Sequence, residues 1–223
     1  MFLLALLAAA CTCERTRPPA NAPCASEPAC AGACDAGSGA GCTEAARFAL
    51  ERPDPEGAAR LWARACDLGD GRGCMRAAGD LTATEEVRAR REALGRSLLP
   101  APCERGDAEA CELLVKAGRD DAERWRSLAT AALRADCARG ERGACHRLGS
   151  SLLTGRLGQT DLVTGAQLLD GACDAGLAGA CAELGLAYRL GRPLPADLAR
   201  ATQLLSRAGE LSAGLDAGTP TAN

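Results

Sequence analysis

Cysteine is the residue type with the most chemistry to offer in this chain, and there are 14 of them. Thiols at this density serve as metal ligands, redox catalysts or structural disulfides. Ten fall in five pairs with members eight positions apart: Cys34 with Cys42, Cys66 with Cys74, Cys103 with Cys111, Cys137 with Cys145, and Cys173 with Cys181. Zinc sites need cysteines a few residues apart plus a second such pair. Only Cys30 and Cys34 have that spacing. A Cys-x-x-Cys redox motif is absent. The framework therefore reads as structural disulfides, with no metal and no cofactor expected.

The other groups able to do chemistry are few. A serine acyl-transfer enzyme of the Ser-x-x-Lys kind needs a lysine, and the only one is Lys116, with Leu113 three residues before it. The single histidine is His146, which beside a helix-start cysteine reads as a solvated surface residue. Glu85/Glu86 and Asp120/Asp121 are adjacent in sequence, face different ways on a helix, and read as helix-start charge. No catalytic residue is assigned.

The cysteines must be positioned by helices that turn between them. In one continuous helix, residues eight apart lie about 12 Å apart along the axis, whereas a disulfide needs Cα atoms within about 7 Å. Gly stands third after the first cysteine every time (Gly37, Gly69, Gly106, Gly140, Gly176), and a small residue precedes the second (Gly41, Gly73, Ala110, Ala144, Ala180). Gly adopts the left-handed conformation that ends helices. The first cysteine thus lies in the last turn of one helix and the second in the first turn of the next, where the small neighbour lets the helices approach.

The first members of the pairs recur 32, 37, 34 and 36 residues apart, the period of a helix-turn-helix repeat. Scarce β-branched residues and abundant Ala, Leu, Arg and Glu favour helix, and 26 Gly and 11 Pro keep the helices short. The fold class is all-α, a solenoid of disulfide-stapled helix pairs over residues 30–211. Asp54, Asp161 and Asp197 each stand eleven residues before an Ala (Ala65, Ala172, Ala208) and read as N-caps of second helices, with Pro55 at a favoured first position. Leu61/Trp62, Leu168/Leu169 and Leu204/Leu205 mark the buried face of those helices. Trp62, Trp125 and Tyr188 read as repeat core. Pro100 and Pro102 break the end of one second helix and are expected to distort that repeat.

First helices are clearest at Cys145-His-Arg-Leu148-Gly149-Ser-Ser-Leu152 and Cys181-Ala-Glu-Leu184-Gly185-Leu-Ala-Tyr188, with Gly155 and Gly191 ending them. The Leu-Gly-x-x-Tyr helix, the Gly-to-Asp loop and the Ala-rich second helix resemble Sel-1-like repeats, relatives of the tetratricopeptide repeat. The resemblance covers roughly Cys34 to Leu211, is strong from Cys137 to Ala208 and degenerate between Thr82 and Cys103. The staples resemble those of the cysteine-rich secreted proteins of Helicobacter. The resemblance implies a right-handed superhelix whose concave face takes a protein or peptide. Some members of that group are described as penicillin-binding or weakly β-lactamase-like, which stands as the alternative function.

The N-terminus addresses location. Met1–Ala10 is an apolar run too short to span a bilayer and reads as a signal peptide. Ala8-Ala9-Ala10-Cys11 is a loose lipobox, making Cys11 a possible lipidation site and a lipid anchor the one membrane attachment. Residues 11–29 read as a Pro- and Cys-containing linker, in which Cys24 and Cys30 are placed for a local bridge. If Cys11 is lipidated, one of Cys13, Cys24 and Cys30 stays unpaired. Residues 212–223 read as a disordered tail. Disulfides belong to oxidising compartments, so the expected location is exported: periplasmic, outer-membrane lipoprotein or extracellular. A net charge of −3 with no long run of one sign gives no support to a nucleic-acid partner.

Overall fold

The computed structural model describes residues 24–118 and 121–216, and residues 1–10, Cys11 and Cys13 lie outside them. Among the described residues the chain forms helices and no strand. Five antiparallel hairpins follow one leading helix, α1 (Glu27–Asp35). They are α2 (Gly39–Glu51) with α3 (Pro55–Asp67), and α4 (Gly71–Ala77) with α5 (Glu85–Leu98) and its continuation α6 (Pro100–Glu104). Then come α7 (Ala108–Lys116) with α8 (Ala122–Ala138), α9 (Arg142–Thr154) with α10 (Leu162–Asp174), and α11 (Ala178–Leu190) with α12 (Leu198–Asp216). Each helix packs chiefly on its chain neighbours, and α2 also touches α4 and α4 touches α7, so the hairpins stack into a solenoid.

One turn, repeated five times, joins hairpin to hairpin. At the first, Gly37 has φ +87°, its N–H donates to the Cys34 carbonyl, and the Ser38 N–H donates to the Ala33 carbonyl. That is the Schellman pair of bonds that satisfies the last carbonyls of a helix. Ser38 is at the same time the N-cap of α2 and accepts from the Gly41 N–H. The end of one helix is therefore fused to the start of the next without a spare residue. The same two backbone bonds recur at Gly69/Asp70, Gly106/Asp107, Gly140/Glu141 and Gly176/Leu177. This fixed geometry is why the cysteines sit eight apart.

The hairpin tips are equally regular in the last two repeats. Gly155 and Gly191 end α9 and α11 in the left-handed conformation. Asp54, Asp161 and Asp197 cap second helices by accepting from the N–H groups of Gly57, Thr164 and Arg200. The proline-rich segment breaks helix α5 at Leu98, since neither Pro100 nor Pro102 has an N–H to give. The distortion stays local. Leu99 remains fully buried and the turn at Gly106 keeps both of its bonds.

The core is built from Leu, Ala and the cystines themselves. One cluster gathers around Leu99, Leu114, Trp125 and Leu133. A second gathers around Leu169, Leu184, Leu194 and Leu204. Trp62 and Tyr188 pack partly buried against their own clusters. Helix α12 continues to Asp216, five residues into the stretch read from sequence as tail, with the Ser212 hydroxyl donating to the Ala208 carbonyl. Residues 217–223 lie outside the described residues.

Candidate functional site

The structure brings together all ten cysteines of the eight-residue pairs. Cys34 on α1 and Cys42 on α2 have their Cα atoms 4.4 Å apart. Cys66 on α3 and Cys74 on α4 stand at 4.3 Å. The separation is 4.8 Å between Cys103 and Cys111, 4.6 Å between Cys137 and Cys145, and 4.7 Å between Cys173 and Cys181. Cys42 and Cys74, each in the first turn of its helix, are fully buried. They are core residues as much as staples, and no substrate or metal can reach them in the folded chain. Cys24 and Cys30 form a sixth bridge at 5.1 Å. Such a set of bridges points to an oxidising compartment. Among the described residues no helix is long and apolar enough to cross a membrane.

The side chains with acid-base potential are scattered. Lys116 is exposed in the last turn of α7, while Leu113 is core. Glu85 and Glu86 are exposed in the first turn of α5. Asp121 is the exposed N-cap residue of α8, and Asp120 lies outside the described residues. His146, read from sequence as solvated, is instead only partly exposed: its Nε2 lies 2.8 Å from Glu183 Oε2 on α11.

That contact is one rung of a ladder the sequence reading missed. Arg72 on α4 reaches Glu44 on α2 at 3.5 Å, and Asp107 and Glu109 of the next repeat at 3.6 and 4.0 Å. Arg76 donates to Glu109 at 2.8 Å. Arg147 on α9 donates through Nε to Glu112 on α7 at 2.8 Å, and Arg156 donates to the other oxygen of Glu112 at 2.9 Å. His146 and Glu183 carry the ladder from α9 to α11. Every first helix from α2 to α11 is thus tied to the next by at least one contact between a basic and an acidic side chain. The sign alternates from helix to helix: acidic at α2, basic at α4, acidic at α7, basic at α9 and acidic at α11.

A signal for the ladder exists once the repeats are aligned on their staples. Arg72 and Glu109 hold one place, two before the second cysteine. Glu44, Arg76, Arg147 and Glu183 hold another, two after it. Leu113 interrupts the second column, and Glu112 and His146 stand one place after their cysteines; the change of sign from repeat to repeat is invisible along the chain, where partners stand a whole repeat apart.

Burial strengthens these pairs. The side chains of Glu44, Arg72, Glu109 and Glu112 are all less than one-fifth exposed. Burial opposes the charge on Arg72, but Asp70, Asp107 and Glu109 outweigh it and hold the guanidinium above its ordinary range. Burial likewise pushes the Glu109 carboxyl up, and the hydrogen bond and charge of Arg76, with Arg72 and Arg147 behind, bring it below the usual carboxylate range. Glu183 is held low by its hydrogen bond to His146 against partial desolvation, with a further bond from Ser150.

Beside the ladder runs a groove of about 690 Å³. Its walls come from α1, α2, α4, α6, α7, the end of α8 and α9, and include Arg47, Arg72, Glu109, Arg139 and Arg147. Most of its charged groups are already paired within the chain, including Arg47 with Glu44 and Arg139 with Asp136. Arg105, at the turn between α6 and α7, also faces the groove and has no carboxylate partner among the described residues. A surface of this kind offers charge and hydrogen bonds spread over several repeats rather than one reactive group.

No family model matches the chain, and no curated protein matches it. Several solved structures resemble it, and three of them are as follows. A protective antigen of uropathogenic Escherichia coli strains displaying an SLR fold is 20% identical, with a TM-score of 0.42, over 87% of this chain and 45% of that one. The chain thus spans under half the length of that antigen. A Sel1 repeat protein from Oxalobacter formigenes is 17% identical, with a TM-score of 0.42, over 85% and 80%. A protein described as a sel1 repeat protein from Klebsiella pneumoniae subsp. pneumoniae is 20% identical, with a TM-score of 0.45, over 83% and 91%.

Proposed function

We propose that this chain is an exported Sel-1-like repeat protein that binds a protein or peptide segment along the groove beside its first helices, as a scaffold in the cell envelope. The observation that carries the reading is the groove's make-up. Its lining is drawn from α1 and from four successive hairpins, so it exists only when the repeats are stacked. Small-molecule pockets are mostly apolar and concentrate a few convergent polar groups. An extended, charged surface built repeat by repeat suits a stretch of polypeptide laid across it, which is how solenoids use their concave faces. In this reading the ladder fixes the relative position of the repeats, and Arg105 with Arg139 presents positive charge to acidic side chains of the partner. Residues 1–10 direct export, and Cys11 is either lipidated or part of the mature linker.

The test is capture from an envelope extract under oxidising conditions, with wild-type chain and an Arg105→Glu/Arg139→Glu variant side by side. Both positions are exposed, and the one pairing lost, Arg139 with its own-helix neighbour Asp136, is a surface contact worth little, so the variant should keep its helical content and nearly its melting temperature. The expected result is one protein held by wild type, identified by mass spectrometry, whose affinity falls about tenfold or more in the variant and weakens with salt. Equal retention by both proteins, or none by wild type, overturns the reading. The mass of the mature N-terminus decides between a cleaved signal and a lipidated Cys11.

A further inference from the structure

The five staples between repeats share one geometry but do not meet solvent alike. In four of them every cysteine is 4% exposed or less. Cys137 and Cys145 are both partly exposed. A crevice of about 720 Å³ opens between the end of α8 and the start of α10, floored by Leu148 and Leu152 of α9, with Cys137 in its wall beside Arg134. The equivalent junction one repeat earlier is closed, with α6 packed against α8 and Cys103 fully buried.

The same staple spans the division between the two large core clusters. Cys137 packs on the cluster that ends at Leu152 and Leu157, and Cys145 on the one that begins at Leu153. Of the five framework staples, the one whose cysteines are both partly exposed is therefore also a cross-link between the two halves of the core.

We propose that the Cys137–Cys145 bridge is a thiol–disulfide exchange site, the framework staple on which a dithiol reductant acts. A thiolate of the dithiol enters the crevice and attacks Cys137 Sγ, the sulfur of the residue that lines it. The staple's S–S bond breaks, a mixed disulfide forms on Cys137, and Cys145 leaves as a thiolate that takes a proton from water. Cys145 lies in the first turn of α9, where the helix dipole favours negative charge. The second thiol of the reductant, deprotonated, then attacks the mixed disulfide and releases Cys137. Two electrons and two protons pass to the staple, and the dithiol leaves as its own disulfide. Access and the ease with which the leaving thiolate departs set such rates; the helix-start position of the leaving sulfur is common to all five staples, and access singles out this pair.

The experiment uses the fully oxidised chain, limiting dithiothreitol, timed quenching with N-ethylmaleimide and peptide mapping. Label should reach Cys137 and Cys145 about tenfold or more faster than any cysteine of the other four framework staples. In denaturant that selectivity should vanish, because it comes from the fold. Reduction of another framework staple first, equal rates for all five, or selectivity that survives denaturant overturns the proposal. A single-thiol probe tests the direction of attack. Glutathione should be found on Cys137 with maleimide on Cys145, and the reverse placement would overturn the assignment of Cys137 as the attacked sulfur.

Discussion

Gly149 and Gly165 lie face to face across the α9–α10 hairpin, each so placed that a Cβ on one would stand about 3 Å from the carbonyl oxygen of the other (2.9 Å for Gly149, 3.0 Å for Gly165). The contact is with backbone and cannot be relieved by turning a side chain. It sets the approach of the two helices and lets Leu169 bury completely. Gly149→Ala is expected to force the hairpin apart and cost ~1–3 kcal/mol, measured by urea denaturation. The equivalent substitution Gly185→Ala meets Leu205 Cγ at 2.9 Å and Cδ2 at 3.1 Å, and the Leu204 Cβ at 3.2 Å. A side chain can shift where a backbone carbonyl cannot, so Gly185→Ala should cost less than Gly149→Ala.

The staple turns separate two reasons for glycine within four residues. Gly69 has φ +81° with open space around the position of its Cβ, whereas Gly73, directly before Cys74, has ordinary helical backbone and would place a Cβ 2.4 Å from the Ala65 Cβ. Gly69→Ala should therefore cost only the left-handed backbone penalty, ~1–2 kcal/mol, and Gly69→Asn less, since Asn tolerates that conformation. Gly73→Ala should cost more than Gly69→Ala, and no backbone-tolerant substitution should rescue it. Melting temperatures of the three variants in one buffer give the ranking.

Glu109 gives the charge ladder a pH signature. Its folded-state pKa is depressed, chiefly by Arg76 working against burial, so it binds its proton less readily in the native state than in the unfolded chain. Its contribution is complete above the ordinary carboxylate range, about 4.3. It is lost as pH falls from there through the lower folded value. The Arg72 guanidinium stays charged throughout that window, since its own shift is upward. Glu109→Gln should destabilise by ~1–3 kcal/mol at neutral pH. The gap between wild type and variant, followed by chemical denaturation from pH 7 to 3, should hold above the carboxylate range and close below it. A gap independent of pH would mean that packing, and not ionisation, is what Gln fails to replace.

Some of this was legible in the residues and some was not, for physical reasons. Gly140 and Cys145 could be placed because the turn between helices is local: its hydrogen bonds span only a few residues, so spacing determines geometry. The same spacing placed Cys42 and Cys74 in first turns, but their complete burial depends on the helices stacked over them. Asp161 could be placed because a cap acts on the next turn of its own helix. The pairing of Arg147 with Glu112, or of His146 with Glu183, depends on the offset between stacked repeats, and no local rule sets that offset. The crevice beside Cys137 is less legible still. It arises from the distance between α8 and α10, which the packing of whole helices decides. Ser212 misled for a different reason. A polar, Gly-containing stretch reads as tail, yet it extends a helix already held down by Leu204 and Ala208.

The bridge between Cys103 and Cys111 is where the framework should matter most to stability. It lies where Pro100 and Pro102 interrupt the second helix, so α6 keeps only five helical residues and loses the backbone bonds a proline cannot make. Elsewhere a continuous second helix leads into the turn and would hold much of the geometry without its disulfide. The chain-entropy estimate for a loop of this size is ~2–3 kcal/mol for either bridge. Cys103→Ser/Cys111→Ser should lose that amount and, in addition, local order from Leu99 to Asp107. Cys173→Ser/Cys181→Ser, joining the unbroken α10 to α11, should lose the loop-closure contribution alone. Hydrogen exchange compares the two. The first variant should show fast exchange reaching the Gly106 and Asp107 amides, whose acceptors lie in α6, while the second keeps the matching Gly176 and Leu177 amides protected. Equal loss of protection at both turns would show that the prolines do not weaken the helix end, and that the staples are interchangeable.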